Sequence, residues 1–158
     1  MHVVFPGSFD PLTYGHLNII ERCSALFSRV DVVIANNKNK TTLFTVEERY
    51  NILKKILKKY DNVRIFHWDS LIVSFANEQK ARVLIRGVRS ASDYEYEFML
   101  AQLNRELGSS TIETLFMPTD KKYFVLHSSV IKEIVMLGGD VSDKVPKLVL
   151  KELQKKFS

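Results

Sequence analysis

Cys23 is the only cysteine in the chain, so no internal disulfide can staple the fold and a reducing compartment is expected. No apolar run approaches the roughly 18 residues that a membrane-spanning helix requires. The opening MHVVFPGSFD lacks a basic stretch followed by an apolar one, so no secretory signal is expected and the expected address is the cytoplasm. Also absent are the GxGxxG dinucleotide fingerprint and the Walker loop, which excludes an ordinary P-loop kinase. No internal repeat, low-complexity tract or linker interrupts the chain.

What remains is a globular composition, with 46% apolar and 26% charged residues in 158 positions. That length suits one domain able to bury its own core. The net charge is +5, from 23 Lys and Arg against 18 Asp and Glu. Such an excess suits nucleic acid or a small polyanionic substrate equally.

Short β-branched runs alternate with longer helical patterns. Val3-Val4-Phe5 reads as a strand punctuated by Pro6-Gly7, and Gly15 to Phe27 as a helix. VDVVIA (30–35) reads as a buried strand. Thr45 to Tyr60 is the clearest helix, opened by a Thr45/Glu48 capping box, with Val46, Tyr50, Leu53, Leu57 and Tyr60 on one face. Val63 to Phe66, Val83 to Ile85 and Ile112 to Met117 read as further strands. Helices are expected from Leu71 to Gln79 and from Asp93 to Leu107, the latter opened by Ser92 and Glu95. Two more are expected, from Ser128 to Leu137 (stopped at Gly138-Gly139) and from Pro146 onward. Continuous apolar strands alternating with helices predict an α/β fold, a doubly wound five-stranded parallel sheet of Rossmann-like type in one domain, 1–158.

In such sheets ligands bind outside the carboxyl ends of the strands, where strand order reverses. The segments expected there are Gly7-Ser8-Phe9-Asp10-Pro11, Asn36 to Lys40, Arg86 to Arg89 and Pro118 to Ser129. Glycines, hydroxyls and basic residues therefore converge on one edge, the combination a phosphate-rich ligand requires. Gly7 permits close backbone approach, and a helix beginning near Tyr14 turns its positive end toward an anion. His16 lies in that first turn, where an imidazole N–H can meet the same phosphate. Arg86 follows the apolar run VLI, where a buried charge needs a counter-ion; a bound anion would supply one.

The blander readings are a structural histidine near a helix start, strand-end surface arginines and solvated lysines. The last fits Lys54, Lys55, Lys58 and Lys59, which fall away from the Tyr50-Leu53-Leu57 stripe. Lys151, Lys155 and Lys156 read the same way, so a nucleic-acid partner is not expected. The helix at 93–107 is apolar on two faces, Tyr94, Phe98 and Ala101 on one and Tyr96, Leu100, Leu103 and Leu107 on the other. That pattern suggests burial on both sides, one of them against another subunit.

GSFDP followed by TYGH resembles the GxFDxxxxGH signature of the nucleotidyltransferase superfamily. PGSFDPLTYGH, LFTVEERY, VLIRGVRSASDYEYEFMLAQLNR and SSVIKEI together resemble the phosphopantetheine adenylyltransferase family, in order and over nearly the whole chain. The resemblance implies transfer of the adenylyl group of ATP to 4′-phosphopantetheine, giving dephospho-coenzyme A and pyrophosphate, without a covalent enzyme intermediate. It implies catalytic roles for Ser8, His16, Lys40 and Arg89. It implies ATP contacts at Ser8, Phe9, His16, Gly87, Val88, Arg89, Glu97 and the loop Tyr123, Phe124, Val125, Leu126, His127, Ser128 and Ser129. Phosphopantetheine contacts would fall to Ser8, Lys40, Ile72 and Arg86.

The family usually carries three small hydroxyl residues where this chain has His127-Ser128-Ser129. Magnesium bridging the ATP phosphates is implied, with no dedicated protein ligands. A homohexamer is implied as well, with feedback by coenzyme A. The open alternative is a related nucleotidyltransferase with a different phosphate acceptor.

Overall fold

A computed structural model describes residues 1–36, 41–108, 111–124 and 126–157. Five parallel strands form one sheet: β1 (His2–Gly7), β2 (Arg29–Ala35), β3 (Val63–Trp68), β4 (Val83–Val88) and β5 (Glu113–Pro118). The helices are α1 (Tyr14–Leu26), α2 (Val46–Leu57), α3 (Ile72–Glu78), α4 (Ala91–Leu107), α5 (Ser128–Met136) and α6 (Lys147–Phe157). The strand order is β3-β2-β1-β4-β5, so the expected doubly wound sheet is present and its order reverses between β1 and β4. Among the described residues no helix is long and apolar enough to cross a membrane.

Side chains alternate across the sheet, and two cores result. Val3, Phe5, Val32, Ile34 and Ile85 pack with Ile19, Leu53, Ile131 and Leu153 from α1, α2, α5 and α6. On the other face Val4, Val33, Leu84 and Ile112 pack with Val73, Phe75 and Ala76 of α3. The lysines at 54, 55, 58 and 59 are exposed, as their position off the apolar stripe requires.

The helix read to Tyr60 ends at Leu57 and the strand read to Phe66 runs to Trp68; three further corrections bear on the site. β1 does not stop at Phe5 but runs through Pro6 and Gly7, in register with Val33 and Ile34 of β2. It pairs with β4 only at Val3 and Val4. Pro6 has no N–H to offer a neighbouring strand, and its carbonyl accepts instead from Nη1 of Arg86 at 3.3 Å. The two strands have thus parted before Pro6, and the gap between them is the floor of a cleft.

β4 likewise continues past Ile85 to Val88, which puts Arg86, Gly87 and Val88 within the strand and not after it. Finally, α4 is capped by Ser90, whose hydroxyl accepts from the Asp93 amide at 3.1 Å. Ser92 and Glu95 are not the box; the helix starts one residue after Ser90, at Ala91. The Thr45/Glu48 box is present as read.

Candidate active site

The cleft at the β1/β4 switch point has about 610 Å³ of open space and is lined by Pro6, Gly7, Thr13, His16, Arg86 and Arg89, among others. Its back wall is the N-terminal end of α1. Thr13 caps that helix, and the expected Glu of a capping box is replaced by His16. The Thr13 amide donates to His16 Nδ1 at 3.1 Å. An Nδ1 that accepts a hydrogen bond carries no proton, so in the neutral ring the proton sits on Nε2.

The ring is half-buried by area but embedded in protein mass around the cleft. Desolvation, and secondarily the nearby Arg89 charge, lower its pKa from 6.5 to about 4. His16 is thus a neutral Nε2–H donor at pH 7. Tyr14, the first helical residue, gives its amide to Lys144 O at 3.0 Å. The next amide, that of Gly15, has no partner among the described residues and adds a second donor at the helix terminus.

The loop from Gly7 to Pro11 is under tension. Phe9 is buried with φ of +48°, a left-handed conformation that costs a bulky residue about 1–3 kcal/mol. Its ring lies edge-on to His16, centroids 5.1 Å apart, and fills the space beside Gly7, where a Cβ would come within 2.9 Å of it. Phe9 therefore acts as a support beneath the site and is not part of its lining. Asp10, also buried, accepts from the Leu43 and Phe44 amides at 3.0 and 2.9 Å and from Lys132 Nζ at 2.8 Å. It joins the loop after β1 to the start of α2 and to α5.

Arg49, 1% exposed, donates to Ser8 O at 2.9 Å and to Asn36 Oδ1 at 3.4 Å. Its charge faces Asp10, and burial lowers its pKa. In the sequence Arg49 sits within LFTVEERY, where a helix of charged residues hides the one that turns inward.

The basic residues of β4 are not bare. Arg86 donates to Glu97 through Nε and, at 2.7 Å, through Nη2. The counter-ion demanded by its position after an apolar run is therefore Glu97 on α4, and no bound anion is needed to explain it. Arg89 donates to Asp93 Oδ2 at 2.9 Å and to Leu126 O at 2.8 Å; its Nη2 has no partner among the described residues.

Of the residues expected at the site, His16, Arg86, Gly87, Arg89, Glu97 and Leu126 line the cleft. Ser8 is exposed and Ser129 is exposed, and neither lines it. Val88, Tyr123, Phe124 and His127 flank it without lining it, while Ser128 spends its hydroxyl on Pro11 O at 2.9 Å. Ile72, at the start of α3, packs against the second core and also lies outside the lining. Lys40 and Val125 lie outside the described residues.

The lining residues not assigned to the site from the sequence include Thr13, Ile19 and Thr119, with Phe5 and Pro6 on the β1 side. The Thr13-x-x-His16 spacing was the available signal for the first of these.

A cytidylyltransferase-like family model matches residues 4–134. The chain is 48% identical over 158 residues to the phosphopantetheine adenylyltransferase of Gloeobacter violaceus, covering 100% of this chain and 98% of the relative. The chain belongs to the phosphopantetheine adenylyltransferase family. Two further members of that family are similar over 155 residues. The Geobacter sulfurreducens protein is 45% identical and a Clostridium perfringens protein 42%, each alignment covering 98% of this chain and 94% of the relative.

A solved structure from Vibrio parahaemolyticus, described as a candidate nicotinate-nucleotide adenylyltransferase, superposes with a TM-score of 0.72 at 17% identity. The match covers 98% of this chain and 91% of that one, and it shows a shared fold. Membership of the phosphopantetheine adenylyltransferase family agrees with the cleft, which opens at the strand ends and carries His16, Arg86 and Arg89 in its lining.

Proposed function

We propose that the chain transfers the adenylyl group of ATP to 4′-phosphopantetheine, forming dephospho-coenzyme A and pyrophosphate. The observation that carries this reading is the fixed tautomer of His16 at the N-terminus of α1. A neutral Nε2–H, the Gly15 amide and the guanidinium of Arg89 face one cleft. That set suits the charge that gathers on an α-phosphate under attack.

The nucleophile is an oxygen of the pantetheine phosphate, whose second pKa near 6 leaves it ionised at neutral pH. No protein base is required. The task left to the protein is to hold two mutually repelling anions in line and to neutralise their charge. Arg89 and Lys40 serve the reacting phosphates, and Arg86, oriented by Glu97, serves the phosphopantetheine side. Ser8, Ile72 and the 123–129 loop act in this reading as residues that close on bound substrates.

Glu97 is engaged by Arg86 and Asp10 by Lys132 and two amides, so no free carboxylate lines the cleft among the described residues. Magnesium accordingly enters as part of the MgATP substrate, held by phosphate oxygens and water.

α4 supports an oligomer. None of its 17 residues is buried, and Tyr96, Phe98, Met99, Leu103 and Leu107 are 44–59% exposed. So much apolar surface on one helix calls for a covering partner, and a homohexamer in the cytoplasm, with coenzyme A as feedback ligand, is the family-based reading. The direct test of the reaction is pyrophosphate release with magnesium, ATP and 4′-phosphopantetheine, each omitted in turn. Release that needs both substrates and yields dephospho-coenzyme A supports the assignment. Release with a different phosphate acceptor alone would replace it.

A further inference from the structure

Thr119 follows β5 and continues its ladder, its amide donating to Val88 O at 3.1 Å. It is 8% exposed and lines the cleft. Its hydroxyl is the buried side-chain polar atom that finds no partner among the described residues. Leaving such a hydroxyl unpaired costs about 1–3 kcal/mol, and valine would fill the same space without that cost. The position of Thr119 is not loose: Asn18 donates to Asp120 Oδ2 at 2.9 Å and accepts from the Asp120 amide at 3.1 Å. Arg22 donates to Pro118 O at 2.6 Å. Two turns of α1 thus clamp the residues on both sides of Thr119.

The same helix sets the polarity of the cleft. Its first turn presents Thr13, Gly15 and His16, the anion end. Ile19 stands three residues further, about 4.5 Å along the axis. Beyond the phosphate end the walls are Ile19, Leu126 and the bare backbone of Gly87, where a Cβ would sit 3.4 Å from Ile19 Cγ1. A narrow apolar slot with one unpaired hydroxyl suits a flat heteroaromatic ring that brings a polar edge. It suits neither a phosphate nor a hydrated sugar.

We propose that the Thr119 hydroxyl hydrogen-bonds the edge of the adenine base of ATP and makes Thr119 a nucleotide-specificity residue. The proposal rests on ATP being the nucleotide substrate. A hydroxyl both donates and accepts, so either a ring nitrogen or the exocyclic amine of the base can satisfy it.

The test compares Thr119→Val and Thr119→Ser with the wild-type chain by calorimetric titration with MgATP and, separately, by steady-state kinetics. Thr119→Val is expected to raise the ATP Kd and KM about tenfold while leaving the phosphopantetheine KM unchanged. Thr119→Ser is expected to stay within about twofold of wild type, and Thr119→Val to have an unchanged or higher Tm without ligand. The tenfold loss should persist with 2′-deoxy-ATP and with 3′-deoxy-ATP.

A wild-type ATP Kd in Thr119→Val overturns the proposal, as does a loss that vanishes with either deoxy analogue, which would mark a ribose contact. Equal losses in the serine and valine variants, or a lower Tm in the valine variant, would mark a packing role and overturn it too. A wild-type chain that binds ATP but forms no dephospho-coenzyme A would remove the acceptor assignment alone.

Discussion

The Thr13 amide and His16 Nδ1 are 3.1 Å apart, and this single hydrogen bond decides which nitrogen of the ring faces the cleft. A capping interaction, ordinarily a matter of helix stability, here also sets the direction of a proton donor. The Thr13 hydroxyl completes the arrangement, accepting from the His16 amide at 3.4 Å.

His16→Ala is expected to lower kcat by about 10²–10³ while the far-ultraviolet circular dichroism stays that of the wild type. Thr13→Val, which removes the cap hydroxyl but keeps the amide, should cost about 1 kcal/mol of stability and far less activity. Near wild-type turnover in His16→Ala would remove the histidine from the reaction.

The same ring makes stability depend on pH with a defined sign. The unfolded ring takes a proton near pH 6.5, whereas the folded one resists until about pH 4. Above pH 6.5 both states are neutral and the ring adds no pH dependence. As pH falls from 6.5 to 4 the unfolded state is favoured, by up to about 3 kcal/mol below pH 4. Urea titrations of wild type and His16→Gln at pH 7 and pH 4.5 read this directly: the wild type should lose more than the variant on acidification. Parallel losses would contradict the lowered pKa.

Asp10 and Lys132 are paired at 2.8 Å, yet removing them should not cost the same. Asp10 also accepts two amides and faces Arg49, so Asp10→Asn leaves Arg49 and Lys132 without their counter-ion. It should destabilise by about 3 kcal/mol. Lys132 is a quarter exposed and leaves Asp10 still satisfied by Leu43 and Phe44, so Lys132→Met should cost about 1 kcal/mol or less. Denaturant midpoints that rank the two in the opposite order would refute this account of the junction.

Leu103 is half-exposed on α4, within the apolar surface that the sequence displays on two faces. Leu103→Lys should shift sedimentation from the oligomer toward smaller species, with the monomer fold intact. A wild-type chain that sediments as a monomer would leave the α4 surface without the proposed partner.

Much of the fold was legible because its signals are local. The strand core Val3-Val4-Phe5 is apolar throughout and VDVVIA is apolar at every position but Asp31, as strands covered on both faces require. The Thr45/Glu48 box and Gly138, whose φ is +78°, mark a helix start and stop through contacts within a few residues. The start of α4 failed locally, because Ser90 and Ser92 both offer a cap hydroxyl; the strand ends failed where a distant partner intervenes. Pro6 reads as punctuation, yet it stays in β1 because β4 has already parted from the strand there. Asp31 hides inside an apolar run and is fully buried; His2 and Arg29 meet it, each at 2.8 Å. The Arg29 contact is local, two residues away on β2, whereas the His2 contact depends on the register of β1 against β2.

The site divides along the same line. The sequence by itself determined the parallel α/β architecture, the edge at which the cleft opens, and the candidacy of His16, Arg86, Gly87, Arg89 and Glu97, because these follow from hydrophobic period, helix-start chemistry and motif resemblance. Only the tertiary structure decided how those groups are used. It paired Arg86 with Glu97, 11 residues away in the chain, turned Phe9 under His16, and placed Thr119, one hundred residues beyond Ile19, in the same cleft. Burial and the partner of a hydrogen bond are properties of the packed whole, set when strand order brings remote segments within a few ångströms, and no local pattern encodes them.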